Sequence, residues 1–430
     1  MLRGKKITLI PVLGILSIIL IGTILLKLPI CNTKPISYED ALFTATSSVC
    51  VTGFATVTLS EQFTFIGQLV ILLLAQVGAI GFMVFFAFIM SINRKRIKFS
   101  DTVLIGSLIN SNEYGKIKDI CKEIIMYTFI IEGIGAFLLA FRFVPVLGTI
   151  DGIWGAIFHS VMAFCNAGFD ILGDTSMAMF RYDNIVNIVM IVLMLSGGIG
   201  FFVIEDIIAC IKKKNMKKLN FQSKIVLSAT AFLVISSTIF IMLVEKDISF
   251  LNALFSVSTT RTAGFFVVDF NEFSTITKLL TIMLMFIGGA PASTSGGIRI
   301  VAFSILVLTT MAAVRDRRNV IVFSKRIDNE VIKKSIGLVV LSISIILIAS
   351  MLLIQFDNFG TLNIIFHTVS AFSTTGLGLF NSANLSLFGK MVIVALMYIG
   401  RVGPITFIVS WLPEKKVNNN IDYIDASVIL

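Results

Sequence analysis

The apolar residues of this 430-residue chain fall into long runs separated by short polar stretches. The first run, about Ile7–Ile30, is long enough to cross the roughly 30 Å hydrocarbon core of a bilayer as a helix. It ends at Pro29 and the polar Cys31-Asn-Thr-Lys-Pro. The segment Glu39–Ser48 is too short to span, and a second long run, Phe63–Ile92, leads to the basic cluster Arg94–Lys98. The order is span, half-helix, loop, span, and it recurs. Spans are predicted at Glu123–Val146 and Ile185–Ile211 around a half-helix at Trp154–Cys165, at Phe221–Val244 and Ser274–Val314, and at Val331–Phe356 and Leu385–Leu412. These runs divide the chain into units at 1–100, 101–218, 219–322 and 323–412, with a polar tail at 413–430.

Each unit carries one stretch of small residues after its half-helix. The four are Thr44-Ala-Thr-Ser-Ser-Val-Cys-Val-Thr-Gly53, His159-Ser-Val-Met-Ala-Phe-Cys-Asn-Ala-Gly168, Ser256-Val-Ser-Thr-Thr-Arg-Thr-Ala-Gly264 and His367-Thr-Val-Ser-Ala-Phe-Ser-Thr-Thr-Gly376. A Phe precedes each (Phe43, Phe158, Phe255, Phe366), ten residues before the glycine in three copies and nine in the third. One such stretch is an ordinary helix C-cap with its left-handed glycine. Four of them, 115, 96 and 112 residues apart, mark a repeated structural unit. A half-helix that ends at membrane depth in a non-helical loop is tolerated where it lines a cavity. Four such loops facing one axis would present a ring of backbone carbonyls of the kind that replaces a potassium ion's hydration shell. The expected fold is all-α and membrane-integral. It has eight full spans and four re-entrant half-helices in pseudo-fourfold symmetry around one pore.

Composition agrees: 56% hydrophobic and 14% charged residues mark a many-span membrane protein rather than a soluble domain. The basic start Met1-Leu-Arg-Gly-Lys-Lys runs into an apolar stretch too long for a signal-peptide core, so no cleaved leader is expected. The net charge of +10 needs no nucleic acid to explain it. Most Lys and Arg fall at the unit ends, which makes that side, with both termini, cytoplasmic. The opposite side is acidic (Glu39, Asp40, Asp151, Asp170, Asp174, Asp269, Glu272) and would concentrate cations. The five cysteines (Cys31, Cys50, Cys121, Cys165, Cys210) have no metal-ligand spacing.

The second spans share a glycine motif: Gln76-Val-Gly-Ala-Ile-Gly81, Ser196-Gly-Gly-Ile-Gly200, Phe286-Ile-Gly-Gly289 and Ile399-Gly-Arg-Val-Gly403. At Gly78, Gly81, Gly197 and Gly198, close helix packing is the expected reason. The third unit departs from this. Its stretch Gly288, Gly289, Ala290, Pro291, Ala292, Ser293, Thr294, Ser295, Gly296, Gly297 cannot be a good helix, although it sits in the middle of an apolar run. It is either a packed kink or a non-helical loop that lines, and could block, a water-filled path.

Taken together, Val51-Thr-Gly-Phe, Thr260-Arg-Thr-Ala-Gly264-Phe, the Gly288–Gly297 stretch and Arg401 in the last span resemble the Trk/Ktr/HKT superfamily of potassium transporters, most closely the membrane subunit of bacterial Ktr systems. Trk-type relatives usually carry an extra N-terminal pair of spans, and this chain starts directly with its first unit. The resemblance implies potassium uptake across the bacterial cytoplasmic membrane, with no enzymatic activity and no bound cofactor. It places the backbone carbonyls of Val51, Thr52, Gly53, Asn166, Ala167, Gly168, Thr262, Ala263, Gly264, Thr374, Thr375 and Gly376 in a potassium-binding selectivity filter. The Gly288–Gly297 loop and Arg401 become an intramembrane gate. It implies a homodimer within membrane lipid, seated on a cytosolic ring of nucleotide-binding (RCK-type) regulatory subunits, with sodium stimulating transport in many members. Glycine rather than serine at 53 points to potassium over sodium. Thr52, Ala167, Ala263 and Thr375 differ ahead of the four glycines, so the filter strands are not identical and selectivity is looser than in a tetrameric channel.

Three arginines fall at membrane depth, where an unpartnered charge costs at least roughly 2.5–3.5 kcal/mol. Arg401 is expected to donate to the glycine-loop carbonyls, Arg261 to brace its own pore loop from behind, and Arg299 to anchor the Gly288–Gly297 loop. Glu132 reads as structural, and His159 and His367, opening the second and fourth half-helices, as capping or packing groups. An intramembrane protease would need paired aspartates or a Ser/His dyad within the spans, and no believable pair exists. The remaining alternatives are the ion-translocating subunit of a potassium-pumping ATPase, whose chain is longer with more spans, and a less selective potassium/sodium transporter.

Overall fold

The computed structural model describes residues 4–81, 117–173, 176–215, 219–317 and 319–411. The Arg94–Lys98 cluster, the far end of Phe63–Ile92, Asp174 and the tail lie outside them. In the first unit α1 (Gly4–Lys27) is followed by α2 (Tyr38–Val49) and α3 (Phe65–Ile80). The second has α4 (Ile117–Leu147), α5 (Thr149–Cys165), α6 (Asn184–Ile199) and α7 (Phe201–Lys212). The third has α8 (Phe221–Val244), α9 (Phe250–Thr259), α10 (Thr275–Ile287) and α11 (Ile300–Val314). A small hairpin, β1 (Ile321–Val322) with β2 (Lys325–Arg326), leads to α12 (Asn329–Phe356), α13 (Thr361–Ser373), α14 (Leu387–Val402) and α15 (Pro404–Trp411).

The helix starts follow from short polar residues in the sequence. Ser37, Thr64, Asp183, Ser249, Ser274, Asp328 and Ser386 each accept from a backbone N–H of the first turn that has no intrahelical partner. Among the described residues, α1, α4, α8 and α12 are the single helices long and apolar enough to cross a membrane. Their flanks are largely apolar and exposed, as at Ile24, Phe137, Phe232 and Met351. The core is built from the short helices, and the Phe ahead of each glycine stretch (Phe43, Phe158, Phe255, Phe366) is fully buried.

Of the eight expected spans, the second spans of the second and fourth units are sharply bent. Helices α6 and α7 meet at 101° and α14 and α15 at 96°, because Gly200 and Gly403 take φ of +98° and +92°, which a right-handed helix cannot continue. Helix α3 likewise ends at Gly81, φ +89°. Two other expectations shift. Helix α5 starts at Thr149, five residues ahead of Trp154, so His159 lies mid-helix, as does His367 in α13.

In three of the four units an acid ties the first span to the second. The Glu245 carboxylate accepts from Ser274 N (2.9 Å) and Oγ (2.7 Å), and Asp357 accepts from Ser386 N (2.8 Å) and Oγ (3.2 Å). In the second unit Arg142 pairs with Asp183 at 2.6 Å. Lys390 of α14 reaches Asp40 of α2 at 3.0 Å, a half-buried ion pair that joins the last unit to the first.

Candidate functional site

Helices α2, α5, α9 and α13 converge, and each ends at its glycine stretch. Two residues before the glycine, Val51, Asn166, Thr262 and Thr374 all take left-handed φ (59°, 57°, 75°, 55°). The next N–H bonds back five residues in three copies: Thr52 to Ser47 O, Ala167 to Met162 O and Thr375 to Ser370 O, all 2.8 Å. This is the six-to-one bond of a Schellman ending. In the third copy Ala263 N reaches back only four, to Thr259 O (2.9 Å), which accounts for the copy being one residue shorter.

The four glycines meet in cyclic order. A Cβ on Gly53 would lie 2.5 Å from the Gly168 Cα, and one on Gly168 would lie 2.6 Å from the Gly264 Cα. One on Gly264 would collide with the Thr375 carbonyl oxygen, and one on Gly376 with that of Thr52. Any side chain here must push the backbone apart, so close approach is the reason for glycine. The hydroxyls of Thr52, Thr262 and Thr374 are buried and, among the described residues, bond to nothing in the protein. On one side the glycines open into a cavity of about 320 Å³ that Asp170 and Asp269 also line. Of the other acids expected there, Asp40 is engaged by Lys390 and Glu272 lies 3.7 Å from Arg181.

The second spans press against the feet of these helices. A Cβ on Gly78, Gly197 or Gly400 would strike the carbonyl of Val49, Phe164 or Phe372. Close packing thus holds for Gly78 and Gly197, while Gly81 instead ends a helix. The break at Gly200 has a further effect: it frees the last carbonyls of α6. Ala290 N donates to Gly198 O (2.9 Å) and Thr294 N to Gly197 O (3.4 Å), while Phe201 N donates to Ala292 O (3.0 Å). Orphan groups at one helix break therefore satisfy part of the backbone of residues 288–299, a largely buried non-helical segment between α10 and α11.

This segment touches the second and fourth units directly, together with the glycine stretch of its own unit. Thr294 Oγ1 lies 3.3 Å from Phe164 O and Ser295 Oγ 3.2 Å from Arg261 O. Gly296 packs so tightly on Ser373 and Thr374 that a Cβ would collide with Thr374 Oγ1. Its link to the first unit runs through Arg401, which donates to Thr294 O and also to Gly78 O and Ala79 O (3.4 Å) at the end of α3. The sequence pointed to the loop carbonyl; the α3 carbonyls it missed, since nothing local signals a partner more than 300 residues away. Arg299 donates to Ala290 O (3.1 Å) within the segment. Arg261 departs from expectation: its Nη2 has no partner among the described residues, and its backbone carbonyl is the group that engages the segment.

Glu132 and the two buried histidines are held by neighbouring groups. Both Glu132 oxygens accept from Gln76 Nε2 (3.0 and 3.1 Å), and Cys165 donates to Gln76 Oε1 (3.1 Å), so this cluster braces the foot of α5. His159 bonds to Gly155 O (2.7 Å), and His367 stacks between Phe54 and Phe380 with Ser382 at 3.1 Å. Among the described residues no His, Cys, Asp and Glu cluster could hold a metal ion.

Comparison with known proteins agrees with this architecture. Residues 12–420 match the model of the TrkH family, described as cation transport protein. The chain is 35% identical to the Ktr system potassium uptake protein B of Bacillus subtilis, over 97% of this chain and 95% of that protein. It is 34% identical to the potassium/sodium uptake protein NtpJ of Enterococcus hirae, with the same coverage. Its fold matches the crystal structure of the potassium transporter TrkH from Vibrio parahaemolyticus with a TM-score of 0.76, at 21% identity, over 96% of this chain and 86% of the other.

Proposed function

We propose that this chain, which belongs to the TrkH family of cation transport proteins, takes up potassium through a filter formed by its four glycine stretches and closed below by residues 288–297. One observation carries this reading: the four glycines meet in a closed cycle with the non-helical segment held directly against their feet. The ion would exchange water for the carbonyls of Val51 to Gly53, Asn166 to Gly168, Thr262 to Gly264 and Thr374 to Gly376. The orphan hydroxyls of Thr52, Thr262 and Thr374 offer further oxygens. Asp170 and Asp269 would raise the local cation concentration at the outer mouth.

In this reading the units stand pseudo-fourfold about the pore, the second spans of all four units, bent or interrupted, bring the total to eight, and both termini are cytoplasmic. Arg401 has two closing effects: its charge repels a passing cation, and its donors tie the segment to α3. The names of the relatives support potassium as the ion and a Ktr-type system, in which a homodimer would rest on a cytosolic nucleotide-binding ring. The Enterococcus protein's name, with the unlike residues Thr52, Ala167, Ala263 and Thr375, favours a second reading in which sodium also passes or stimulates.

The test is uptake by a transport-deficient cell carrying this chain, with and without the regulatory subunit, normalised to protein in the membrane. Gly53→Ser should lower the potassium over sodium preference about tenfold or reverse it, since any Cβ there meets Gly168. Unchanged competitive uptake would remove Gly53 from the filter. Deleting Ala290–Ser295 should raise flux about tenfold or more; a loss of flux by a properly inserted protein would make the segment packing, not a plug.

A further inference from the structure

Val51, Asn166, Thr262 and Thr374 share one backbone position and one left-handed conformation, yet their side chains differ in what they do. Val51 is apolar, and the Thr262 and Thr374 hydroxyls bond to nothing among the described residues. Asn166 is fully buried and fully used. With the amide oriented by the donors and acceptors around it, its nitrogen donates to Ala163 O and Met194 O, both 3.1 Å. Its Oδ1 accepts from Thr294 Oγ1 (3.0 Å), Ser295 Oγ (3.1 Å) and Gly198 N (3.2 Å). One side chain therefore joins the foot of α5, the broken end of α6 and the two hydroxyls at the centre of the 288–297 segment.

Left-handed backbone favours asparagine for its own sake, which would account for the residue type without any role for the side chain. That preference does not account for two hydroxyls of another unit converging on one amide oxygen. Each hydroxyl also lies near a second acceptor, the Phe164 or Arg261 carbonyl, so its single proton is shared between the segment's two attachments.

We propose that Asn166 is a second latch: it keys the 288–297 segment to the filter stretch of the second unit, as Arg401 keys the segment to the first. The inference rests on the reading of that segment as a gate. Moving the segment away from the pore breaks the bonds at Asn166. It thereby releases the residue two positions ahead of Gly168, so opening the gate also loosens one filter strand. Asn166 is a positioning residue, since it acts through its side chain on the gate and need not touch the ion with it.

The test compares three chains in membranes at equal inserted amounts: Asn166→Gly, the pair Thr294→Val with Ser295→Ala, and all three together. Glycine keeps the left-handed conformation and removes the side chain. Each of the first two should raise potassium flux on the order of fivefold, the shift produced by losing about one net hydrogen bond. The triple variant should rise no further than the larger of the two, because the contact between Asn166 and the two hydroxyls, which both variants break, can be lost only once. Multiplying effects would overturn the latch, as would flux unchanged in the Thr294/Ser295 pair, which leaves Asn166 in place and carries the test even if Asn166→Gly fails to insert. The Ala290–Ser295 deletion separates the two levels. If the deletion raises flux and the latch variants do not, the latch is wrong and the gate stands. If the deletion does not raise flux, the gate reading itself falls.

Discussion

The third and fourth units are built alike on the vestibule side and differently at the middle of their second spans. In both, an acid at the end of the long first helix receives the N–H and hydroxyl of the serine that caps the second: Glu245 with Ser274, Asp357 with Ser386. Below that, α14 turns into α15 at the single residue Gly403, followed by Pro404, which suits a helix start. Helix α10 instead gives way to residues 288–299 before α11 resumes. One left-handed glycine is enough to bend a span. A dozen residues off the helix need something more, namely donors and acceptors from elsewhere. Those come from the bend at Gly200 and from Arg401. The simple bends are thus what makes the elaborate one possible.

The largest effect on this contrast should come from Arg401, which the fourth unit lends to the third. Arg401→Ala removes the tether to Thr294 O and the charge together, and flux should rise about tenfold. Arg401→Lys keeps the charge but loses the planar fork of donors, so it should resemble Ala. A low-flux Lys variant would show that repulsion, not tethering, closes the path. An intermediate effect separates two glycines of like conformation. At both Gly200 and Gly403 a side chain costs roughly 1–3 kcal/mol in backbone strain. Gly200→Ala also drives a Cβ to 2.8 Å from Pro291 O, whereas Gly403→Ala meets only Thr406 Oγ1 at 3.8 Å. Both should lower the unfolding temperature, and Gly200→Ala alone should raise flux, severalfold. Equal flux from the two would deny that the second unit's bend holds the segment.

The smallest effect lies in the shared clasps. Burial works to raise the Glu245 carboxyl, but the hydrogen bonds from Ser274 and Thr277 outweigh it and hold it below the ordinary range. A carboxyl lowered in the folded state contributes stability above its unfolded pKa and loses it as pH falls through the folded value. Acidification below about pH 4 should therefore cost the parent stability that Glu245→Gln never had, by under about 1 kcal/mol. Thermal unfolding of both proteins between pH 3 and 7 measures the difference; parallel curves would mean the clasp is not ionised.

Much of this was legible in the chain. Gly53, Gly168, Gly264 and Gly376 announce themselves because close backbone approach admits no other residue and the spacing repeats. The 288–297 segment stands out because proline and four glycines interrupt an apolar run. The bends at Gly200 and Gly403 were not legible. A lone glycine in an apolar span serves close packing or a bend equally well, and Gly197 and Gly200, three residues apart, do one each. The partners of Arg401 and Asn166 were hidden for another reason: they come from other units, and periodicity says nothing about which carbonyl a long-range donor will find.

The Asp40–Lys390 pair has a consequence for synthesis. Its members are 350 residues apart, so the contact between first and last units forms only when the fourth has been made. Chain entropy is no great obstacle, since each doubling of a closed loop adds only about 0.6 kcal/mol. Timing is the constraint: until α14 emerges, the flank of α2 that Lys390 will cover has no partner from the fourth unit. Until then Asp40 keeps the bond from the Ser37 hydroxyl of its own unit (2.7 Å), so a chain halted before α14 lacks the charge pair that fastens α14 onto α2.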